Sequence, residues 1–598
     1  MPKTILKDVF GYDQFRSGQT EVIDTLLAGE HVLAVMPTGS GKSLCFQIPA
    51  LVKGGLTLVI SPLVALMEDQ VAALKLAGVA AETINSSRQR ESNVDSWRRV
   101  TSGEVRLLYL APERLMTDRM LAALERLPVS LIAIDEAHCL SRWGPSFRPE
   151  YEALSILKDR FPTVPIAALT ATADHATQED ISAKLFAGKG RTFVSGFDRP
   201  NISLNVDIRT DAKQQLLDLL SNHKDESGIV YCLSRKKTDK MAAFLCQHGI
   251  RALAYHAGMS AEERASNQET FMNESAVVMV ATIAFGMGID KPDVRFVCHT
   301  DMPGNVESYY QEIGRAGRDG KPAVAHMHYG LDDVRMRRLF IEQDGSSDDH
   351  KRREHKRLDS LIAYCEAPTC RRQALLDYFN EHIEACGNCD ICLNPYDMVE
   401  GTEIAQALMA ACEDTGQIFG QSHLIDIVRG ADTEKIRSLG HNHLPAYGRG
   451  AELNKNAWRS IIRQLVASGH LKIDVTGYGG LSMTSKGRAV LDGATDFWYR
   501  EDLIRQAELP QRKKKVRIET ADLNDEDLVL LEALKDLRRA IAKERKVPAY
   551  IIFADRSLEA MAQIKPSSES EFATIHGVGA AKLKDFSEQF MALIKDYA

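Results

Sequence analysis

The segment Val32-Leu33-Ala34-Val35-Met36, followed by Pro37-Thr38-Gly39-Ser40-Gly41-Lys42-Ser43, constrains this chain more than any other feature. A short apolar run without alternation reads as a strand buried on both faces. The small residues after it permit a tight loop, and the chain then opens a helix. In that setting successive backbone N–H groups of Thr38, Gly39, Ser40 and Gly41 point into one concavity, and the helix N-terminus adds partial positive charge. Such a concavity suits the phosphates of a nucleotide. Lys42 would reach the β- and γ-phosphates, and Ser43 would offer a hydroxyl to Mg²⁺. Met36 stands where the strict pattern has its first glycine. The bland alternative is a glycine-rich turn before an ordinary helix, which the Gly-Lys-Ser ending disfavours.

Further unalternated runs follow at Thr57-Leu58-Val59-Ile60, Leu131-Ile132-Ala133-Ile134 and Ile166-Ala167-Ala168-Leu169. After Phe197-Asp198-Arg199-Pro200 a second set begins: Ile229-Val230-Tyr231-Cys232, Val277-Val278-Met279-Val280 and Arg295-Phe296-Val297-Cys298. This pattern predicts two α/β lobes built on parallel sheets, meeting near residue 198. Asp135-Glu136-Ala137-His138 directly follows one strand, and ligands gather at the carboxyl ends of strands in open α/β sheets. Asp135 is placed to hold hydrated Mg²⁺, and Glu136 to orient or deprotonate an attacking water. Alone, such a pair is usually a solvated loop; behind the phosphate loop it points to nucleotide hydrolysis.

The 598 residues suggest about four domains at roughly 150 residues each. With 74 basic and 82 acidic residues the net charge is -8, which excludes a wholly basic, histone-like binder but not a local basic groove. No apolar run approaches the ~20 residues that span a bilayer. Met1-Pro2-Lys3-Thr4-Ile5-Leu6-Lys7 lacks the apolar stretch and cleavage site of a signal peptide. Most of the eleven cysteines, such as Cys45, Cys232 and Cys298, are isolated in apolar runs. Cys370, Cys386, Cys389 and Cys392 instead have the spacing C-x15-C-x2-C-x2-C, which suits four thiolates on a tetrahedral Zn²⁺. A closed four-sulfur site has no open position for water, so its expected role is structural. Cys365 is expected to be buried or capping nearby.

Asp135-Glu136-Ala137-His138 behind this phosphate loop resembles the superfamily-two helicases. Four further segments agree: Ser61-Pro62-Leu63, Leu169-Thr170-Ala171-Thr172-Ala173, Ala281-Thr282-Ile283-Ala284-Phe285-Gly286-Met287-Gly288-Ile289-Asp290 and Gln311-Glu312-Ile313-Gly314-Arg315-Ala316-Gly317-Arg318. With Phe10-Gly11-Tyr12-Asp13-Gln14-Phe15-Arg16-Ser17-Gly18-Gln19, these look like the RecQ family of DNA helicases, over essentially the whole chain. The resemblance implies an α/β fold of two RecA-like lobes (1–198 and 199–340). A helical zinc-binding module (341–400), a winged helix (401–500), a linker (501–522) and a small all-α HRDC-like domain (523–598) would follow. It implies ATP between the lobes, with Tyr12, Arg16 and Gln19 at the adenine. Arg315 and Arg318 would stabilise charge on the transferring phosphoryl group.

Beside Glu136, the loop Ser141-Arg142-Trp143-Gly144-Pro145-Ser146-Phe147-Arg148-Pro149-Glu150-Tyr151 combines three aromatics with two arginines. Trp143 and Phe147 could stack on unpaired bases, at ~1–3 kcal/mol per base, with Arg148 adding a phosphate contact or stacking. In the family pattern this is the aromatic-rich loop, which more usually carries His-Asp where Pro145-Ser146 stand. That departure would leave one fewer polar link between DNA and Glu136; the bland alternative is that Pro145-Ser146 merely trims a surface turn. Before the cysteines, Lys351, Arg352 and Arg353 form with Arg371 and Arg372 a basic helical pair. Asn454 to Leu465 reads as the recognition helix of the winged domain. Trp458, Ile461, Ile462 and Leu465 would face the core, and Lys455, Arg459 and Arg463 duplex phosphates. Two strands near 471–483 would form the wing, with Tyr478 either a wedge at a strand junction or an exposed turn tyrosine. His576-Gly577-Val578-Gly579-Ala580-Ala581-Lys582 could offer backbone N–H groups to a phosphate, or be a structural helix–turn–helix.

The expected activity is ATP- and Mg²⁺-dependent 3′–5′ DNA unwinding in recombination and repair, including the SOS response. Expected partners are single-stranded and duplex DNA, a single-strand-binding protein, and recombination or topoisomerase enzymes. The expected state is a monomer, cytoplasmic and nucleoid-associated, with no membrane contact. An RNA helicase or duplex translocase with the same motor, or a non-enzymatic DNA-binding scaffold, are the alternatives.

Overall fold

The computed structural model describes residues 1–598 apart from 38, 87, 142–147, 174, 287–290, 345–346, 396, 474–479, 501–524, 546 and 598. The first lobe carries seven strands: β1 (Val32–Val35), β2 (Leu56–Ile60), β3 (Ala81–Ile84), β4 (Leu107–Leu110), β5 (Val129–Ile134), β6 (Ile166–Thr170) and β7 (Arg191–Val194). They pair in the order β3-β4-β2-β5-β6-β1-β7, each adjacent pair parallel. Every residue of β1, β2, β4 and β6 is buried, as largely apolar strands without alternation must be when both faces of a sheet are covered, and the edge strand β3 is buried with Glu82 paired to Lys75 and Arg99. Only β7, at the edge, is largely exposed.

The order matters for chemistry. Strand β6 lies between β1 and β5, and Val35 pairs with Thr170 while Ile134 pairs with Ala168. The loop after β1, the threonines after β6 and Asp135-Glu136 after β5 therefore emerge side by side at one sheet edge. The second lobe repeats the plan with β8 (Ile202–Ile208), β9 (Ser227–Tyr231), β10 (Ala252–Tyr255), β11 (Val278–Ala281), β12 (Val294–His299) and β13 (Ala323–Tyr329). These run parallel in the order β10-β11-β9-β12-β13-β8.

Beyond the lobes, a long helix, Asp348–Glu366, leads to the cysteine cluster. The helix Lys455–Ala467 starts on Asn454, whose side chain accepts from the N–H groups of Asn456 and Ala457. Trp458, Ile461, Ile462 and Leu465 are buried, as their spacing requires. Leu471–Ile473 and Leu481–Met483 pair antiparallel as the wing; its tip, with Tyr478, lies outside the described residues.

Three arginines depart from the surface role expected of them. Arg463 is 6% exposed and donates from Nε to Glu366 Oε1 at 3.1 Å, while Arg500 reaches Glu366 Oε2 at 2.7 Å. The winged domain is thus fastened to the long helix by a buried carboxylate between two guanidiniums, and Arg463 does not face a phosphate. Arg371 and Arg372 are also buried and bind protein groups. The helical spacing shows only that Arg463 lies off its own domain's apolar stripe, not that a neighbouring helix covers it. Cys365 is fully buried, with its thiol 4.0 Å from Met327 Sδ.

The terminal helical domain packs around Phe553, which meets the rings of Phe572, Phe586 and Phe590. It touches both lobes. Gly577 N–H donates to Gly11 O at 2.8 Å, and His576 lies 4.9 Å from Tyr12 between ring centroids. On the other lobe, Ala549 N–H donates to Asn273 Oδ1 at 3.2 Å, and Glu559 pairs with Lys321. The glycine-rich loop is therefore used in docking, and the N–H of Gly577 already has its acceptor. A Cβ at Gly579 would lie 2.3 Å from Val9 O. Gly579→Val should consequently loosen docking by about 1–3 kcal/mol, the range for overpacking. Hydrogen exchange at the Gly577 amide should accelerate about tenfold or more, with the Phe553 core amides unchanged.

Candidate active site and zinc centre

The loop after β1 is held by the helix that precedes it. Gln19 is buried, and its Nε2 donates to Ser40 O and Gly41 O, both at 3.0 Å, while its Oε1 accepts from Arg16 N–H at 2.9 Å. The Arg16 guanidinium donates to Gly39 O. Gly39 and Gly41 have φ of 83° and 81°, the left-handed region that a side chain disfavours. At Gly41 a Cβ would also stand 2.7 Å from Gln19 Nε2. Arg16 and Gln19 thus brace the phosphate loop, and Tyr12 sits beside them under His576. Thr38 lies outside the described residues.

Lys42 Nζ donates to Met36 O at 3.0 Å and Pro37 O at 3.3 Å, folded back along the loop. Burial pulls its pKa down, opposed by Glu136 and Asp135. Asp135 is pushed up to about 7 by burial and by Glu136, against the pull of Lys42. A cation beside this carboxylate relieves both effects, so Asp135 and Ser43 fit Mg²⁺. Gln70 Nε2 lies 3.5 Å from Ser43 Oγ, a neighbour that no motif marks.

Glu136 adopts φ 51° and ψ 45°, left-handed backbone that costs a non-glycine residue about 1–3 kcal/mol and recurs at functional sites. Its Oε2 is buried, accepts no hydrogen bond and lies 3.4 Å from His138 Nδ1. The same His138 nitrogen lies 2.9 Å from Thr170 Oγ1, which in turn donates to Thr172 O at 3.0 Å. Thr172 Oγ1 then accepts from Gln311 Nε2 of the second lobe at 2.9 Å. A polar chain therefore runs from Glu136 across the interlobe boundary.

The two arginines of the second lobe have different places. Arg318 approaches the phosphate loop: its Cγ is 3.6 Å from where a Gly39 Cβ would stand, and its charge acts on Lys42. Arg315 turns inward, donating to Gly286 O and lying near the Tyr231 hydroxyl.

The four cysteines converge. Their sulfurs lie within 4.8 Å of one another, with Cys389 to Cys370 at 3.9 Å and Cys386 to Cys392 at 4.0 Å. A tetrahedron of Zn–S bonds of ~2.3 Å sets sulfurs about 3.8 Å apart, so the cluster fits Zn²⁺ closely. Backbone N–H groups of Cys386, Asn388 and Cys392 donate to Cys370, Cys386 and Cys389 sulfurs at 3.3, 3.3 and 3.4 Å, which favours thiolates.

Family models match along the chain in order. They are the DEAD/DEAH box helicase (16–181), the helicase conserved C-terminal domain (211–320), RecQ zinc-binding (331–393), the RQC domain (395–507) and the HRDC domain (527–594). The chain is 42% identical to the ATP-dependent DNA helicase RecQ of Haemophilus influenzae, over 99% of this chain and 96% of that protein. Proteins of the same name in Pasteurella multocida and Bacillus subtilis are 41% and 35% identical, over 99% and 100% of this chain and 93% and 98% of theirs. The chain belongs to the RecQ family.

Of the residues that the RecQ resemblance assigns to DNA, Trp143 and Phe147 lie outside the described residues, as do Pro145 and Ser146. Arg148 is described; its N–H donates to Cys139 O at 2.9 Å and its Nη1 lies 3.5 Å from Pro62 O, near the Glu136 strand end. Lys455 pairs with Asp426 at 2.9 Å while remaining half exposed, and Arg459 is exposed beside Asn456. No described helix is long and apolar enough to cross a membrane.

The zinc centre of this RecQ chain supports more than itself. Arg371 Nε lies 3.1 and 3.2 Å from the carboxylate of Asp390, between two of the cysteines, and its Nη1 donates to Tyr364 O and Cys365 O. Cys389→Ser should lower bound zinc from about one ion per chain to near none by elemental analysis. Melting should shift down as the Arg371 contacts loosen, since structural zinc binding is coupled to folding.

Proposed function

We propose that this RecQ chain hydrolyses ATP between its lobes to move 3′ to 5′ along single-stranded DNA and unwind duplex ahead of it. The observation that carries the reading is the convergence at one cleft of the loop 39–43, Asp135-Glu136 and, from the other lobe, Arg318. Relatives that match over nearly their whole length are named ATP-dependent DNA helicases, which supports DNA as the track.

The residues divide the work. Backbone N–H groups of the loop and Lys42 bind the phosphates, and Lys42 must leave the carbonyls of Met36 and Pro37 to do so. Ser43 and Asp135 would hold Mg²⁺, which when bound would neutralise charge on the phosphates. Glu136, whose buried Oε2 accepts no hydrogen bond, orients the attacking water and accepts its proton. Arg318 stabilises the charge that develops on the transferring group, while Arg315, lodged against Gly286, acts after a shift or holds the second lobe's shape. Tyr12, Arg16 and Gln19 line the adenine side. Trp143, Phe147 and Arg148 engage single-stranded DNA, and Lys455, Arg459 and Tyr478 engage the duplex. Any change in the cleft is passed to the second lobe through Thr172 and Gln311.

Strand displacement on matched DNA and RNA forks, with polarity read from the loading tail, tests the whole reading. Lys42→Ala should abolish DNA-stimulated hydrolysis and unwinding while DNA binding survives. An unwinding-competent Lys42→Ala protein refutes the motor. Trp143→Ala should lower the stimulation of hydrolysis by single-stranded DNA much more than the DNA-free rate, because each stacked base contributes ~1–3 kcal/mol. Unchanged stimulation in that variant removes the loop from the sensing role.

A further inference from the structure

The segment between the lobes is gripped from two sides. On one side stands the zinc module. Arg372, two residues past Cys370, donates from Nη1 to Asp198 Oδ1 at 2.7 Å and Arg199 O at 2.5 Å, and from Nη2 to Ile202 O at 2.5 Å. It is 3% exposed, so this fork has been taken from water to hold main chain. Phe379 of the same module stacks on Phe197 at 4.5 Å, and Glu381 accepts from Phe197 N–H.

On the other side the Arg199 side chain binds the second lobe. Its Nη1 donates to Gly314 O at 3.2 Å, and its Nη2 to Ala316 O at 2.9 Å and Gly317 O at 3.0 Å. These carbonyls follow the helix Val306–Ile313, whose last C=O groups have no intrahelical partners. A planar guanidinium suits such a cluster, in charge as well as in shape. Asn201 adds a second brace, donating to Gly317 O and Lys321 O, each at 2.9 Å. The loop so fixed is the one that bears Arg315 and Arg318. Arg199 Nη1 is also 3.7 Å from where a Gly39 Cβ would stand, so the brace lies against the phosphate loop itself.

We infer that Arg199 is a positioning residue for ATP hydrolysis, which fixes the loop 314–318 so that Arg318 meets the phosphates, and that Arg372 holds Arg199 in place from the zinc module. The inference rests on the role given above to Arg318. It makes the zinc module a part of the ATPase, joined through two guanidiniums and the main chain between them. A lysine at 199 keeps the charge but gathers its donors on one nitrogen, where a planar fork now spans three carbonyls.

The test uses the full chain with single-stranded DNA and saturating Mg²⁺. Arg199→Lys and Arg199→Ala should lower kcat about 10²-fold, the effect of misplacing a reacting group by about an ångström. Binding of a non-hydrolysable ATP analogue should change less than about threefold, because the affected contact matters most in the transition state. Arg318→Ala alone should be slow, and the double variant Arg199→Ala/Arg318→Ala should be no slower than Arg318→Ala, since one residue acts through the other. Arg372→Lys should show the same split between kcat and analogue binding with zinc content still about one per chain, which separates the relay from loss of the module. Additive losses in the double variant, or a parental kcat in Arg199→Ala while Arg318→Ala is slow, overturn the inference and leave the motor reading intact. A parental kcat in Arg318→Ala overturns both the finger role and this inference.

Discussion

A parallel sheet covered on both faces leaves polar side chains one place to meet, the loops at its strand ends. In the first lobe the strand order β5-β6-β1 sets three such ends in a row. The phosphate loop, the threonine pair and Asp135-Glu136 are neighbours because their strands are hydrogen-bonded neighbours. No side-chain contact between them needs to be strong. The sheet, with every residue of β1 and β6 buried, fixes their spacing to within the stiffness of its ladder. What remains for side chains is to hold the loops, which Gln19 and Arg16 do through carbonyls of residues 39–41. The strained backbone of Glu136 belongs to the same logic. A left-handed residue persists only where its surroundings over-determine it, and here a rigid strand precedes it while buried His138 follows.

Between domains, buried guanidiniums take over the role of the sheet. Glu366 lies between Arg463 and Arg500, and the main chain at 198–202 against Arg372, while within the zinc module Asp390 holds Arg371 in the same way. Each is costly to desolvate, and removing one partner leaves a buried charge, at about 3–5 kcal/mol. Such contacts therefore specify geometry more than they add stability. An apolar interface tolerates sliding; a fork on fixed carbonyls does not. Where Arg318 of one lobe lies against the loop at Gly39 of the other, such forks fix the approach of the two lobes.

The parts legible in the sequence are those that depend on local rules. Unalternated apolar runs revealed the two sheets, because a strand buried on both faces has no polar face to show. Cysteine spacing revealed the metal site, because two successive C-x2-C steps bring three thiolates to one point and leave the fourth to come from upstream. Trp458, Ile461, Ile462 and Leu465 were legible from helical period alone. The three arginines were not. Arg463 lies off its helix's apolar stripe in sequence, yet the long helix of another module covers it. Arg371 and Arg372 look like a basic surface pair and are instead among the most buried polar groups of the molecule. Charge in a sequence says that a partner is needed, not whether the partner is DNA or a carboxylate from another domain. Arg199 was equally silent: beside Pro200 it reads as a domain boundary, and only the fold brings it to Gly314, Ala316 and Gly317.

The terminal domain shows the same limit from the side of close packing. Its glycine-rich loop has the composition of an anion-binding turn, and helix N-termini do bind phosphates. The structure uses that composition otherwise. Gly11 and Gly579 lack side chains where the two backbones meet: a Cβ at Gly11 would stand 2.5 Å from Val578 N, and one at Gly579 2.3 Å from Val9 O. Glycine here permits an approach between segments at opposite ends of the chain. The consequence is chemical as well as architectural, because the approach sets His576 on Tyr12, next to Asp13 and to the Arg16 that braces the phosphate loop. Contacts to Asn273 and Lys321 carry the same domain onto the second lobe. A body attached to both lobes resists their relative movement in proportion to how firmly it is docked. The hydrogen bond from Gly577 to Gly11 and the ring contact at Tyr12 are individually worth about 1 kcal/mol. That is weak enough for lobe movement to break, and strong enough, several together, for the terminal domain to favour the arrangement seen here.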